Sequence, residues 1–208
     1  MGCFDAASAG TLGIHSAASA PCGVSMRSGG GSDVADDSMA TLMAAIGCMA
    51  DWRLVRTFTC EVVVREECGR VETFEMHAEP MHSSYSLVNT TSGIEESYVD
   101  ASRTIVTDGM QVERMPNALL TEPLPARLAF PMALPIWSRR HDLYRMTGAE
   151  REGDLVTVAL EHRTNPARSG TLTVDLDRSL AVKISAPTLG IEYRSIVPAR
   201  SRFGTARA

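Results

Sequence analysis

The side chains that could do acid–base, nucleophilic or metal chemistry in this sequence are five histidines and five cysteines. Catalysis by a serine or cysteine needs a histidine and a carboxylate on positions that can meet. His77, His82, His141 and His162 lie near the ends of expected strands or in loops, and no motif surrounds any of them. No two of them have metal-ligand spacing. The sequence therefore predicts a binding protein with no catalytic residue, no metal and no cofactor.

The cysteines form no CxxC pair, and their number is odd, so the sequence predicts neither a zinc site nor a complete disulfide framework. Cys60 and Cys68 would lie up to roughly 26 Å apart if an extended strand separates them, which is too far for a disulfide. Cys48 with Cys60, helix against sheet, is the one intramolecular pair that stays open. The alternative is that Cys48, Cys60 and Cys68 are small buried hydrophobic residues.

Composition excludes two further classes of protein. The chain has 208 residues, of which 44% are hydrophobic, and a formal net charge of −5. A mildly acidic chain lacks the cationic surface that phosphate contacts require, so we expect no nucleic-acid partner. No apolar stretch reaches the length of about eighteen residues that a transmembrane helix needs.

Residues 1–37 are rich in glycine, serine and alanine and contain few large apolar side chains, a composition typical of disorder. A secretory signal needs a basic start followed by an apolar run, whereas the first basic residue here is Arg27. We therefore expect a disordered or leader-like tail over residues 1–37, a folded domain over residues 38–200, and a flexible C-terminal tail over residues 201–208.

One helix and a series of strands must position any binding site. Asp36, Asp37 and Ser38 can supply N-cap oxygens, so we predict a helix from there to about Trp52. Its apolar positions recur at steps of three and four residues: Met39, Leu42, Ile46 and Met49. From residue 57 the apolar period changes to two, and this alternation, broken by short turns, predicts about ten antiparallel strands.

Five prolines interrupt an apolar segment at residues 116–137, called the insert below, and exclude a long helix or a central strand there. We predict a short helix around residues 126–133 with loops that act as a lid. Short hairpins join neighbouring strands throughout, which favours one curved antiparallel sheet, an open half-barrel. The predicted fold is mainly β with an α lid, in which the N-terminal helix and the insert cover an apolar interior suited to lipid-like ligands.

The order of these elements resembles the LolA-like family of lipoprotein carriers over residues 40–200. The matching stretches are Glu79-Pro80-Met81, Ser84-Tyr85-Ser86-Leu87, Ile105-Val106-Thr107-Asp108-Gly109-Met110, Leu143-Tyr144-Arg145-Met146 and Thr171-Leu172-Thr173-Val174-Asp175-Leu176. The resemblance implies a periplasmic half-barrel that shields the acyl chains of a lipoprotein. It also implies an inner-membrane release complex and an outer-membrane acceptor as partners. We expect the carrier itself to be a monomer.

The inner face of the sheet and the insert are expected to line the cavity for acyl chains. The residues expected there are Phe58, Cys60, Val62, Phe74, Met76, Tyr85, Leu87, Leu128, Met132, Tyr144, Met146, Leu172 and Val174. Burying each acyl CH₂ contributes roughly 0.8 kcal/mol, so one long chain in such a cavity gives substantial affinity.

Carriers of this family place an arginine before the proline at this junction, as part of a latch between sheet and lid, whereas this chain has Glu79. One interpretation is that Glu79 takes the latch position and pairs with Arg127 of the insert, with the charges exchanged. The alternative is that Glu79, at the end of a strand, is solvated. The same half-barrel occurs in RseB-like regulators and in mycobacterial-type lipid-binding lipoproteins. A non-transporting lipid or lipoprotein sensor is therefore the alternative function, and a small hydrolase or isomerase is a third.

Overall fold

The structure of this chain is a computed structural model, and it describes residues 31–113 and 122–203. Helix α1 spans Gly31–Ala50 and so begins before the start predicted at residues 36–38. Ser38 does not cap it. Its hydroxyl instead donates to the carbonyl of Ala149 and accepts the N–H of the same residue, which ties the helix to the sheet. Residues 31–37 are thus helical, and the rest of the predicted tail, residues 1–30, lies outside the described residues.

The described residues contain eleven strands, and six of them precede the insert. These are β1 Phe58–Arg65, β2 Val71–Glu79, β3 Ser84–Asn89, β4 Glu95–Val99, β5 Thr104–Thr107 and β6 Met110–Glu113. The other five are β7 Tyr144–Glu152, β8 Leu155–His162, β9 Gly170–Asp175, β10 Leu180–Ala186 and β11 Leu189–Pro198.

All eleven strands form one antiparallel sheet in the order β6-β5-β4-β3-β2-β1-β11-β10-β9-β8-β7. Strands β1 to β6 form one meander and strands β7 to β11 form another, and the two meet where β1 pairs with β11. At that seam Val62 lies opposite Phe74 on β2 and opposite Tyr193 on β11, so these three side chains share one face. We call this the inner face, and the opposite side, which carries Glu61 and His77, the outer face. The prediction of a single open antiparallel sheet with a covering helix is confirmed.

The turn between β5 and β6 shows how sequence fixes the register of one hairpin. Asp108 and Gly109 have φ angles of 48° and 78°, and both therefore lie in the left-handed region. A two-residue turn of this kind matches the right-handed twist of the flanking strands, and Asp-Gly is among the pairs that adopt it most easily. The predicted tight turn at this position is confirmed.

The described part of the insert, residues 122–137, contains two short 3₁₀ turns, Leu124–Ala126 and Pro131–Ala133, instead of the predicted helix over residues 126–133. Pro125 and Pro131 lack an N–H group and cannot donate to a helical ladder. The remaining amides make local bonds, such as that from the Ala133 N–H to the carbonyl of Phe130. The prediction of a helix in the insert is therefore wrong.

The hydrophobic core lies between the sheet, helix α1 and the insert. Helix α1 contacts β7 to β10 and contributes the buried side chains of Leu42, Ala45 and Met49. Within residues 31–113 and 122–203, no helix is both long and apolar enough to cross a membrane. The same residues contain no group of three histidine, cysteine or acidic side chains placed to hold a metal ion.

Candidate functional site

The first hairpin presents its predicted apolar side to the core. Phe58, Cys60, Val62 and Met76 are buried in the main hydrophobic cluster, and Phe74 packs against it. They share one face because β1 and β2 pair without a register shift, with Val62 opposite Phe74 and Cys60 opposite Met76. The alternation in the sequence therefore assigned this face correctly.

The insert fills the inner face. Ala126, Leu128 and Ala129 have no exposed surface, and Phe130 is 4% exposed. The ring of Phe130 meets Trp52 edge-on at a centroid distance of 5.3 Å and lies 5.9 Å from the ring of Tyr85. An acyl chain can occupy this position only after the insert has moved.

Tyr193 on β11 fastens the insert to the sheet. Its hydroxyl donates to the carbonyl of Pro125 at 2.8 Å and accepts the N–H of Ala129 at 3.0 Å. Burial raises the pKa of the Tyr193 hydroxyl well above its ordinary value, so the group stays a neutral donor. The Tyr193 side chain thus ties residues 125–129 of the insert to β11.

The inner face is more open at its β6 end. Ile105 of β5 lies opposite Val112 of β6, and Thr107 lies opposite Met110, which places Met110 and Val112 on the inner face. These two side chains are 72% and 60% exposed. They extend the apolar lining from the core to solvent at the edge of the sheet.

Most residues predicted to line the cavity lie in the core, and one does not. Those buried there are Phe58, Cys60, Val62, Met76, Tyr85, Leu87, Leu128, Tyr144, Leu172 and Val174. Phe74 and Met146 are half-buried against them. Met132 is 40% exposed, because it lies on a 3₁₀ turn whose buried residue is Pro131. The placement of these side chains is thus known, whereas their contact with acyl chains stays a prediction.

Glu79 is fully buried, and its contacts differ from those predicted. Its carboxylate accepts hydrogen bonds from the Ser201 hydroxyl and from the backbone N–H groups of Arg202 and Phe203. The predicted partner, Arg127, instead donates through Nε to the carbonyl of Glu122 at 2.9 Å. The Glu79–Arg127 pairing is therefore wrong, because the chain following β11 reaches Glu79 from the outer face.

Burial alone would raise the pKa of Glu79, but the hydrogen bonds from Ser201, Arg202, His77 and Phe203 outweigh it and lower this pKa from 4.5 to about 2. A carboxylate that accepts several bonds is stabilised in its charged form. Glu79 is thus ionised at neutral pH and holds the chain after β11 in place. Residues 201–203, which the sequence analysis assigned to a flexible tail, are anchored by it, and residues 204–208 lie outside the described residues.

His77 completes this cluster on the outer face. Its side chain is 4% exposed, its Nε2 lies 3.0 Å from Glu79 Oε1, and its ring meets Phe203 edge-on at a centroid distance of 5.9 Å. Among the described residues, His77 Nδ1 is the one buried side-chain nitrogen or oxygen without a hydrogen-bond partner. The cluster therefore contains one buried polar atom whose hydrogen-bonding capacity is not used.

The cysteines of the described residues are free thiols, and Cys48 does not pair with Cys60. Burial, together with the charge of Glu61, raises the pKa of the Cys60 thiol to about 12. A protonated buried thiol is a poor nucleophile, so Cys60 acts as an apolar residue of the core. Cys68 is exposed, contrary to the alternative that all three cysteines are buried.

Sequence reasoning missed Tyr193 and the contacts of Glu79. A signal for Tyr193 existed, because a buried tyrosine needs a partner for its hydroxyl and a proline-rich segment has unpaired backbone groups to offer. No comparable signal connects Glu79 with residues 201–203. More than a hundred positions separate them, and short polar segments of this kind are common.

No protein-family model matches this sequence, and no curated protein is similar to it. Among solved structures, MucB is 17% identical over 82% of this chain and 61% of its own, with a TM-score of 0.42. MucB in the complex of Pseudomonas aeruginosa MucA and MucB is 17% identical over 77% of this chain and 59% of its own, with a TM-score of 0.43.

An uncharacterized conserved protein from Thermus thermophilus is 7% identical over 77% of this chain and 89% of its own, with a TM-score of 0.41. This chain spans about three fifths of the length of the MucB chains that it matches. We take no residue role from these alignments, and the site is assigned from the contacts of this chain alone.

Proposed function

We propose that this chain is a non-catalytic acyl-chain-binding protein of the periplasm, and that its role is to carry lipoproteins toward the outer membrane. The observation that carries the proposal is the insert, whose turns occupy the inner face and whose described residues meet the sheet backbone at the end, where Trp137 forms a bridge with Arg145 of β7. A segment of this kind can leave while the eleven-stranded sheet stays intact. The inner face of β1, β2 and β11 would then be free for acyl chains.

The free energy of exchanging the insert for an acyl chain supports the proposal of acyl-chain binding. If the insert left the sheet, its own buried apolar side chains, such as Leu128 and Phe130, and the inner face beneath them would become exposed. An acyl chain that takes their place buries equivalent area at roughly 0.8 kcal/mol per CH₂. The ligand and the insert therefore compete for one surface, and Met110 and Val112 at the open end offer an apolar entry.

The carrier proposal implies an inner-membrane complex that loads the chain and an outer-membrane acceptor that unloads it. The second candidate is a non-transporting lipid or lipoprotein sensor. The segment bound by Glu79 favours this candidate, since a short polypeptide segment is held on the outer face while the insert covers the inner face.

Native mass spectrometry of the purified chain tests these proposals. A bound lipoprotein supports the carrier, and bound phospholipid alone supports the sensor. If the chain carries no lipid and also fails to bind a fluorescent fatty acid at micromolar concentration, acyl-chain binding is excluded.

Tyr193→Phe is expected to speed loading of the fluorescent fatty acid, because it removes both hydrogen bonds that fasten the insert. We also expect a loss of about 1–3 kcal/mol in the free energy of unfolding. Stopped-flow fluorescence and urea denaturation measure the two effects. Tyr98→Phe is the matched control, since Tyr98 is a second buried tyrosine and its hydroxyl donates to Asp100 at 2.6 Å. Equal loading rates for the two variants would contradict the role of Tyr193.

Amides of residues 122–137 are expected to exchange with solvent faster than amides of β9, β10 and β11. The insert makes local turns whose bonds can open singly, whereas each central strand is paired on both sides. Hydrogen–deuterium exchange followed by mass spectrometry gives the comparison. Equal protection of the two segments would show that the insert is a fixed part of the core.

A further inference from the structure

The chain that follows β11, residues 199–203, is called the C-terminal segment here, and it lies on the outer face across the hairpin of β1 and β2. Its course begins with the N–H of Ala199, which donates to the carbonyl of Thr57 at 2.9 Å. The Glu79 carboxylate then accepts hydrogen bonds from the hydroxyl of Ser201 and from the successive N–H groups of Arg202 and Phe203. Phe203 finally covers His77.

Two of the three hydrogen bonds that the C-terminal segment donates to Glu79 come from backbone N–H groups. The backbone bends at Arg202 and Phe203, so their successive N–H groups point to one carboxylate, and they specify a conformation more than a sequence. The hydroxyl of Ser201 and the ring of Phe203 add the side-chain part of the recognition. A buried carboxylate with this set of donors has the geometry of a peptide-binding site.

The surface beside the C-terminal segment is not filled. Arg202 borders a cavity of about 430 Å³, and Phe203 borders a second cavity of about 370 Å³. The first cavity is also bordered by Glu61 and Glu75, which lie directly opposite each other on β1 and β2. Like charges opposite each other are unfavourable unless a cation lies near them. Arg194 reaches Glu61 at 3.9 Å, and a further basic side chain in the cavity would face Glu75.

We propose that the outer face around Glu79 and His77 is a docking site for a short, bent segment of a partner polypeptide, and that the C-terminal segment occupies this site within the same chain. The partner segment has a hydroxyl residue, a basic residue and an aromatic residue in succession, as Ser201, Arg202 and Phe203 do. Its backbone binds Glu79, its basic side chain enters the acidic cavity, and its ring packs on His77. This site is independent of acyl-chain binding on the inner face.

A partner must displace the C-terminal segment to bind. An attached segment competes at an effective concentration in the millimolar range, so the free site is hidden from weak partners. A variant with a weakened segment should therefore bind an added peptide better than the natural chain does. The double variant Ser201→Ala with Phe203→Ala removes both side-chain contacts and changes no residue of the sheet.

The probe is a fluorescent, amidated peptide with the sequence of residues 199–203, and its binding is followed by fluorescence anisotropy. We expect the double variant to bind it about tenfold more tightly than the natural chain does. A control peptide with alanine in place of its serine and phenylalanine should bind the double variant about tenfold more weakly. Adding Glu79→Gln to the double variant should abolish binding, whereas adding Glu150→Gln, on an exposed strand position, should not.

Circular dichroism of each protein confirms that the sheet is intact. The proposal fails if the folded double variant does not bind the peptide, or if it binds the control peptide equally well. The peptide comparison alters no residue of the protein, so it decides the question even where Glu79→Gln impairs folding.

Discussion

Val62→Asp is expected to unfold this chain or to lower its free energy of unfolding by at least about 4 kcal/mol. Val62 has no exposed surface and lies between Phe74 and Tyr193 on the inner face, at the seam of the two meanders. A charge placed there has no partner and no water. A domain of this size has a total stability of about 5–15 kcal/mol, so the loss removes a large part of it.

Urea denaturation followed by circular dichroism measures the effect. Val71→Asp is the matched control, because Val71 belongs to the same hairpin, is 57% exposed, and lies opposite Arg65. We expect this control to change stability by no more than about 0.5 kcal/mol. If Val62→Asp were as stable as the control, the inner face of β1 would not be the buried one.

The sheet could be predicted from the sequence because its signals are local. Alternation along β1 assigns Phe58, Cys60 and Val62 to one face, and pairing within a hairpin needs only the neighbouring strand. The Asp108-Gly109 turn specifies its own geometry. Chain order then leaves few topologies for short hairpins, and the single antiparallel sheet follows.

The start of helix α1 and the form of the insert were harder to predict. Asp37 and Ser38 are good N-cap residues, yet Ser38 bonds to the backbone of Ala149 on β7 and the helix continues through it. That partner is distant in sequence, and no local rule identifies it. In the insert the apolar residues suggested a helix, but Pro125 and Pro131 removed the donors that a helix needs.

The candidate sites depend on contacts between distant parts of the chain. Tyr193 meets Pro125 and Ala129, and Glu79 meets residues 201–203. Each contact satisfies a buried polar group with unpaired backbone groups of an irregular segment. Sequence reasoning found neither contact, because the folded sheet determines which distant group is within reach of each segment.

Glu79, on the outer face, makes the stability of the fold depend on pH. Its pKa is lowered from 4.5 to about 2 in the folded chain, so folding is favoured by its ionised form. This stabilisation is therefore complete above pH 4.5 and is lost as the pH falls through about 2. A difference of this size corresponds to about 3 kcal/mol.

Glu79→Gln is expected to lower the free energy of unfolding by about 3 kcal/mol near neutral pH. A neutral amide has only one acceptor oxygen, and its NH₂ group would face the N–H and O–H donors that now bind the carboxylate. Between pH 4.5 and about 2 the natural chain should lose stability toward the level of the variant, so that the gap between them narrows. Urea denaturation at a series of pH values gives the free energy of unfolding of the natural chain and of the variant as a function of pH. The control Glu150→Gln alters an exposed carboxylate on β7, and its stability should follow that of the natural chain at every pH. A gap between the natural chain and Glu79→Gln that stayed constant with pH would show that the carboxylate charge does not hold the C-terminal segment.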